Sequence, residues 1–297
     1  MSSSTLRINF PQWQGGAFPI DQKYLPEFKG FYDRIKSYHL GSRILSFIAP
    51  KNSNQKEITI DVPFETETEE NLKEKNGILA YDACLSLLKQ ALSKIKEQNP
   101  TKILTIGGEC SVSVPSFTYL IDKYKEDIGI IWIDAHPDMG MPGDQYKGYH
   151  AMALAMCLGM GDENYVKECP GKISVEKCII LGLREMEKEA EERKNKIGLK
   201  HITVEETREN KKKIAEWIKK VGVKKVLIHL DLDVLDPKDL FVAVGYVENG
   251  FYLKEVIEQI KIISENSEVV GLTIAERTPV EEIRLLNMMN QLPLFNN

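Results

Sequence analysis

IGIIWIDAHPDMG, residues 128–140, runs from an uncharged apolar stretch straight into Asp134, His136 and Asp138 at every second position. The first six residues suit a strand covered on both faces, as strands are in parallel sheets. A strand made for a dry interior that ends in two carboxylates and an imidazole needs a reason. In an extended chain, positions i, i+2 and i+4 point to one side, so the three side chains can converge if the chain stays extended past the strand end.

The same kind of run recurs along the chain. LRINF (6–10), RILSFI (43–48), EITIDV (57–62), KILTIG (102–107), KCIILGL (177–183), HITV (201–204), KVLIHLDL (225–232) and VVGLTIA (269–275) all read as strands. Helical patterns fall between them, over 76–98, 115–124, 149–158, 185–196, 205–221 and 253–266. In the first, Ile78, Leu79, Cys84, Leu85, Leu88, Leu92 and Ile95 share one side at helical spacing, a stripe that a core face explains without any function. This alternation predicts one α/β domain over residues 1–297, with a parallel sheet and helices on both faces. Segments 11–30 and 136–149, rich in Gly and Pro, read as loops, the second placed to border a site.

Composition narrows the function. The chain has 297 residues and a net charge of -5. That gives no electrostatic reason to expect nucleic acid, and Lys211, Lys212 and Lys213 read as a solvated helix face. Five scattered cysteines (Cys84, Cys110, Cys157, Cys169, Cys178) form no C-x-x-C pair and suit a reducing compartment. No basic-then-apolar leader and no membrane-length apolar run is visible, so a cytoplasmic protein without membrane partners is the expectation.

Ligands of open parallel sheets bind outside the carboxyl ends of the strands. After KILTIG comes Glu109-Cys110; after IGIIWI come Asp134, His136 and Asp138; after KVLIHL come Asp231, Asp233 and Asp236; after VVGLTIA comes Glu276. Either acidic motif alone could be a capped surface turn, but both at ends of apolar strands point to a shared site. Carboxylates gathered there without cations would repel one another and hold protons. Two divalent ions balance them, and oxygen-rich ligation with imidazole favours manganese. Water shared between two such ions loses a proton readily, which predicts hydroxide attack on a polarised carbon or phosphorus centre.

GGEC (107–110), DAHPD (134–138), HLDLDVLDP (229–237) and AERTP (275–279) together resemble the ureohydrolases: arginase, agmatinase and formiminoglutamase. Their motifs run G-G-D/E-H, D-A-H-x-D, S-x-D-x-D-x-x-D-P and a late Glu, in the same order, and the resemblance covers roughly residues 100–280. It implies a three-layer αβα fold around a central, mostly parallel eight-stranded sheet. It implies a dinuclear Mn2+ hydrolase that cleaves the guanidino C–N bond of arginine, or of an arginine-like or N-modified guanidine, to urea or a substituted urea and an amine. Asp134 and Asp231 take the place of the carboxylates bridging both ions. Cys110 and Asp138 fall at ligands of the first ion, and His136 and Asp233 at ligands of the second. His150 matches a proton-shuttling histidine and Glu276 the carboxylate that holds the guanidinium. With Asp138, these two make up the expected catalytic residues. Read on their own, His150 could be a satisfied histidine at a helix start and Glu276 an ion-pair partner of Arg277. In GLREME (182–187), Arg184, Glu185 and Glu187 align with a segment that helps hold the substrate's amino-acid end, Glu187 being the expected contact. The family also implies a homo-oligomer, toward which the tail LLNMMNQLPLF (285–295) only hints.

Three departures qualify this. Cys110 stands where the family has a histidine ligand; it can ligate as thiolate, leave the first ion weak or of a different metal, or be a buried cysteine that ligates nothing. His229 replaces a serine and can either orient a carboxylate or fill space. MGMPGDQYKG (139–148) lacks the pattern with which arginases grip the α-carboxylate. Three rival readings remain. One is a ureohydrolase-fold binding or regulatory protein without catalysis. A metallophosphoesterase needs G-N-H-[DE], and a deacetylase needs a His-His pair, and the chain has neither.

Overall fold

A computed structural model describes residues 4–16, 37–64 and 66–289. Eight strands form one sheet: β1 (Thr5–Phe10), β2 (Lys56–Thr59), β3 (Lys102–Gly107), β4 (Ile128–Ile133), β5 (Cys178–Leu181), β6 (Lys200–Ile202), β7 (Lys225–Asp231) and β8 (Glu268–Ala275). Their order is β2-β1-β3-β8-β7-β4-β5-β6, and every pairing is parallel. The helices are α1 (Ser37–Ile48), α2 (Tyr81–Gln98), α3 (Ser113–Tyr124), α4 (Ala153–Cys157), α5 (Glu163–Glu168), α6 (Lys188–Ile197), α7 (Val204–Glu209), α8 (Lys213–Val221), α9 (Leu253–Asn266) and α10 (Val280–Met289).

The period-2 geometry of β4 explains its continuous apolar run. Ile128, Ile130 and Trp132 point to one face, where they pack with Leu88 of α2 and Phe117 of α3. Ile131 and Ile133 point to the other, with Ile214 and Ile218 of α8 and Val256 and Ile263 of α9. Each face is therefore covered by helices and the layers are αβα, so a charged side chain in mid-strand would be stranded in a dry core.

Some expected boundaries shift. RILSFI (43–48) is not a strand but the last half of α1. A six-residue apolar run fits either period, and here the helix is needed to bring Gly41 against the Arg277 carbonyl, where a Cβ would come within 1.7 Å. The helix expected over 76–98 starts only at Tyr81, because Asn76, Gly77 and Ala80 all have positive φ. The 205–221 pattern breaks at Asn210 into α7 and α8. The helix expected over 185–196 starts at Lys188, leaving Glu185 and Glu187 in the preceding loop. Of the loop expected over 11–30, residues 17–30 lie outside the described residues, as do 290–295 of the tail.

Candidate active site and metal centre

The four strands that end in chemistry are neighbours in the sheet, in the order β3-β8-β7-β4. Their carboxyl ends surround one cavity of about 310 Å³. Cys110, Asp134, His136, Asp138, Asp231, Asp233, His150, Glu187 and Glu276 all line it.

Past β3 the chain squeezes by a second backbone. A Cβ on Gly108 would lie 1.7 Å from the Gln12 carbonyl oxygen, so only glycine fits. Glu109 then turns inward and caps the next turn, accepting from the Ser111 amide at 2.7 Å, the Ser111 hydroxyl at 2.8 Å and Gln12 Nε2 at 2.5 Å. Burial pushes the Glu109 carboxyl up to about 7. The turn aims the Cys110 thiol at Asp231 Oδ2, 2.8 Å away, and toward Glu276 Oε1 at 3.4 Å. Burial and then the surrounding carboxylates, Asp138 foremost, push the thiol well up.

On β4, Asp134 folds back on its own chain. Its Oδ2 accepts from Trp132 Nε1 at 2.8 Å and its Oδ1 from the His136 amide at 2.6 Å. His136 Nδ1 reaches Asp233 Oδ2 at 2.8 Å. Asp138 is held with φ 46°, an uncommon conformation outside glycine that clusters at functional sites. Its carbonyl accepts from the Leu154 and Ala155 amides, which pins the loop to α4. At the end of β7, Asp231 Oδ1 accepts from the Asp233 amide at 2.6 Å, and Asp233 Oδ1 accepts from the Ala135 amide at 3.1 Å. Asp236, in the same motif, turns away to cap the Lys238 amide at 2.9 Å and does not line the cavity.

Glu276 follows β8, also at positive φ, 65°. Its Oε2 accepts from the Tyr38 hydroxyl at 2.8 Å and its Oε1 lies 2.7 Å from His150 Nδ1. Burial works against its charge, but His150 and these hydrogen bonds outweigh it and lower its pKa. His150 sits in a 3-10 turn before α4, not in the helix, and its Nε2 lies 2.5 Å from the Tyr146 hydroxyl. Burial disfavours the imidazolium, yet Tyr146 and Glu276 more than offset this and raise its pKa. Of GLREME, Glu185 and Glu187 reach the cavity wall. Arg184 does not: its guanidinium is spent on the carbonyls of Gly182, Asp233 and Val247. Sequence reasoning missed Tyr38 and Tyr146; only the i−4 spacing of Tyr146 to His150 hinted at either.

The residues could hold divalent cations. Burial, followed by Asp233, raises Asp134 to about 6. Burial, followed by a neighbouring carboxylate, raises Asp138 and Asp231 well above the usual carboxylate range. Burial opposes charge on His136, but Asp233 leads the groups that raise its pKa. Asp138 Oδ2 and His229 Nε2 are buried without a hydrogen-bond partner. Among the described residues, donor atoms within 4.8 Å of one another form the sets Cys110-Asp134-Asp138-His229, Asp134-His136-Asp233, Asp231-Asp233-Glu276 and Cys110-His150-Glu276. Such nitrogen, oxygen and sulfur donors are those that transition-metal dications take.

A sequence model of the arginase family matches residues 46–286. The chain belongs to the arginase family. That makes it a ureohydrolase, an enzyme acting on C–N bonds. It is 29% identical over 229 residues to the arginase of Bacillus subtilis strain 168, covering 74% of this chain and 76% of that one. The Entamoeba histolytica arginase, solved in complex with L-ornithine, superposes with a TM-score of 0.72 at 18% identity, covering 96% of this chain and 97% of that one. A putative agmatinase from Clostridium difficile superposes at 0.63 with 17% identity, covering 96% and 94%. These likenesses show that the family's αβα fold extends over nearly the whole chain. No helix among the described residues is long and apolar enough to cross a membrane.

Proposed function

We propose that this arginase-family chain is a dinuclear, manganese-dependent hydrolase of arginine or of an arginine-like or N-modified guanidine. It releases urea, or a substituted urea, and an amine. The observation that carries the reading is the convergence of four neighbouring strand ends on one cavity lined by buried carboxylates. Asp134, Asp231, Cys110, Asp138, His136 and Asp233 would hold the ions, Cys110 and Asp138 toward one side of the cluster and His136 and Asp233 toward the other. When bound, the cation pair supplies an activated water at neutral pH and offsets the carboxylate charge.

The chain's own side chains do the rest. Glu276, kept ionised by His150 and Tyr38, pairs with the guanidinium and sets its carbon over the carboxylate cluster. The proton held between His150 and its partners Tyr146 and Glu276 goes to the leaving amine as the C–N bond breaks. Asp138 presents an oxygen that no protein donor occupies. Glu187, an exposed residue of the cavity lining, meets the far end of the substrate. The free cysteines support a reducing, cytoplasmic setting.

Elemental analysis after manganese loading, with urea release measured on arginine, agmatine, guanidinobutyrate and N-hydroxyarginine, tests the reading. Two ions per chain with urea or hydroxyurea formed from one of these is the expected result. No bound metal and no turnover on any guanidine would sink it.

A further inference from the structure

His229 has no role in the reaction as described so far, yet its imidazole falls in one group of donor atoms with Cys110, Asp134 and Asp138. It is wholly buried on β7, paired in register with Trp132 of β4, and stacked on that indole at 3.7 Å between ring centroids with 12° between planes. Its Nδ1 lies 2.8 Å from the Ser113 hydroxyl at the start of α3. Its Nε2 has no partner; Asp134 Oδ2 is 3.9 Å off, too far for a hydrogen bond, and already accepts from Trp132.

We propose that His229 is a metal ligand, and that Cys110, Asp134, Asp138 and His229 form a mixed sulfur, nitrogen and oxygen subsite for a dication of the zinc, cobalt or iron class. The proposal rests on the metal-dependent reading above and changes the make-up of its first subsite.

Three observations carry it. First, donor atoms of these four residues lie within 4.8 Å of one another, close enough for a single ion to span them. Secondly, two of the four contribute a buried atom without a protein partner, His229 Nε2 and Asp138 Oδ2. A buried polar atom left without a partner is destabilising. A proton donated from Nδ1 to Ser113 leaves the Nε2 lone pair facing carboxylate oxygens, an arrangement that a cation between them stabilises. Ligating histidines are commonly held this way, with the far ring nitrogen tied to an oxygen and the ring orientation fixed. Thirdly, Cys110 and His229 are two positions at which the motifs quoted above are not matched, and they meet in one cluster. The imidazole absent from the turn after β3 is supplied from β7, two strands away across β8.

The donor set decides the metal. A thiolate with one imidazole and two carboxylates is softer than the oxygen-rich group of Asp231, Asp233 and Asp134 with His136, and soft donors select zinc-like ions where carboxylates suit manganese. The two subsites therefore hold different metals.

The test uses the full chain. In the wild type loaded with cobalt, a thiolate-to-metal charge-transfer band is expected in the near ultraviolet, with two ions per chain by elemental analysis. His229→Phe keeps a ring on Trp132 but removes both nitrogens; it is expected to lose about half of the bound metal and the charge-transfer band. Ser113→Ala is expected to weaken binding at this subsite by about 10–100-fold. The pair Cys110→His with His229→Ser is expected to regain full loading without the band. X-ray absorption on wild type with one equivalent of zinc needs no variant, and should find sulfur and imidazole around the same ion. Sulfur without imidazole, or a His229→Phe variant with unchanged stoichiometry, affinity and cobalt spectrum, would overturn the proposal and leave the hydrolase reading standing. A wild type that binds no dication overturns both.

Discussion

The Tyr38 hydroxyl donates to Glu276 Oε2 across 2.8 Å, joining α1 to the end of β8 over a separation of 238 positions. Both residues line the cavity, and Tyr38 is almost wholly buried. The bond fixes the carboxylate at the cavity wall, with its other oxygen beside His150. A hydrogen bond to a charged group contributes about 1.5–3 kcal/mol. Tyr38→Phe should therefore lower kcat/KM for the guanidine by about 10–100-fold, with KM taking most of the change because substrate grip is what Glu276 provides. Steady-state kinetics of urea release checks this, and an unchanged KM would remove Tyr38 from the site.

Tyr146, His150 and Glu276 form a chain of short contacts, 2.5 Å from Tyr146 to His150 and 2.7 Å from His150 to Glu276. If His150 delivers the proton to the leaving amine, its loss should act on kcat. His150→Asn is expected to cut kcat by about 10²–10⁴-fold with little change in bound metal. Tyr146→Phe, which keeps the ring against His150, should cost less. Metal content measured beside kcat separates this from a structural role: a variant that lost its ions as well would point to ligation instead.

How much of this the sequence disclosed follows from what a short window can encode. The strand ends of β4 and β7 were legible because alternation along an extended chain decides directly which side chains face together, so Asp134, His136 and Asp138 could be read as convergent, and Asp231 with Asp233. The neighbour order β3-β8-β7-β4 was not legible, since crossovers are set by packing of distant segments. Tyr38 escaped for the same reason: it belongs to a helix whose second half has a strand-like apolar run, and its function lies in one contact far along the chain. Arg184, which the family resemblance aligned with a substrate-holding segment, is instead tied to backbone carbonyls by tertiary structure.

Trp132 supports the centre through a single bond, from Nε1 to Asp134 Oδ2 at 2.8 Å, while its ring meets Phe117 edge-on and His229 face-on. Trp132→Phe preserves an aromatic ring but leaves that carboxylate oxygen without its donor. Loss of such a supporting bond lowers metal affinity by about 10–100-fold, and the smaller ring should cost about 1–3 kcal/mol of stability. Metal titration paired with thermal melting separates the two effects: saturating metal should recover most of the occupancy but not all of the Tm. Affinity equal to wild type would show that Asp134 does not depend on the indole.

Glu109 gives the protein a pH-dependent stability that a single substitution can expose. Its carboxyl moves from an ordinary 4.5 to about 7 in the folded chain, burial being the main cause. Protonation therefore favours the folded state: the contribution is complete below about pH 4.5 and is lost as the pH climbs through about 7. The span corresponds to about 3 kcal/mol. Asp134, raised to about 6 by burial and Asp233, slopes the same way, so chelator-treated protein should lose stability from pH 5 to pH 7. Glu109→Gln keeps the side chain's size and most of its contacts to Ser111 and Gln12 while removing the titration. Denaturant unfolding of the metal-free protein at pH 5 and at pH 7 should then show a smaller difference for the variant than for wild type, by about 2 kcal/mol. Parallel slopes for the two proteins would mean that Glu109 stays ionised in the fold, satisfied by the Ser111 and Gln12 donors alone.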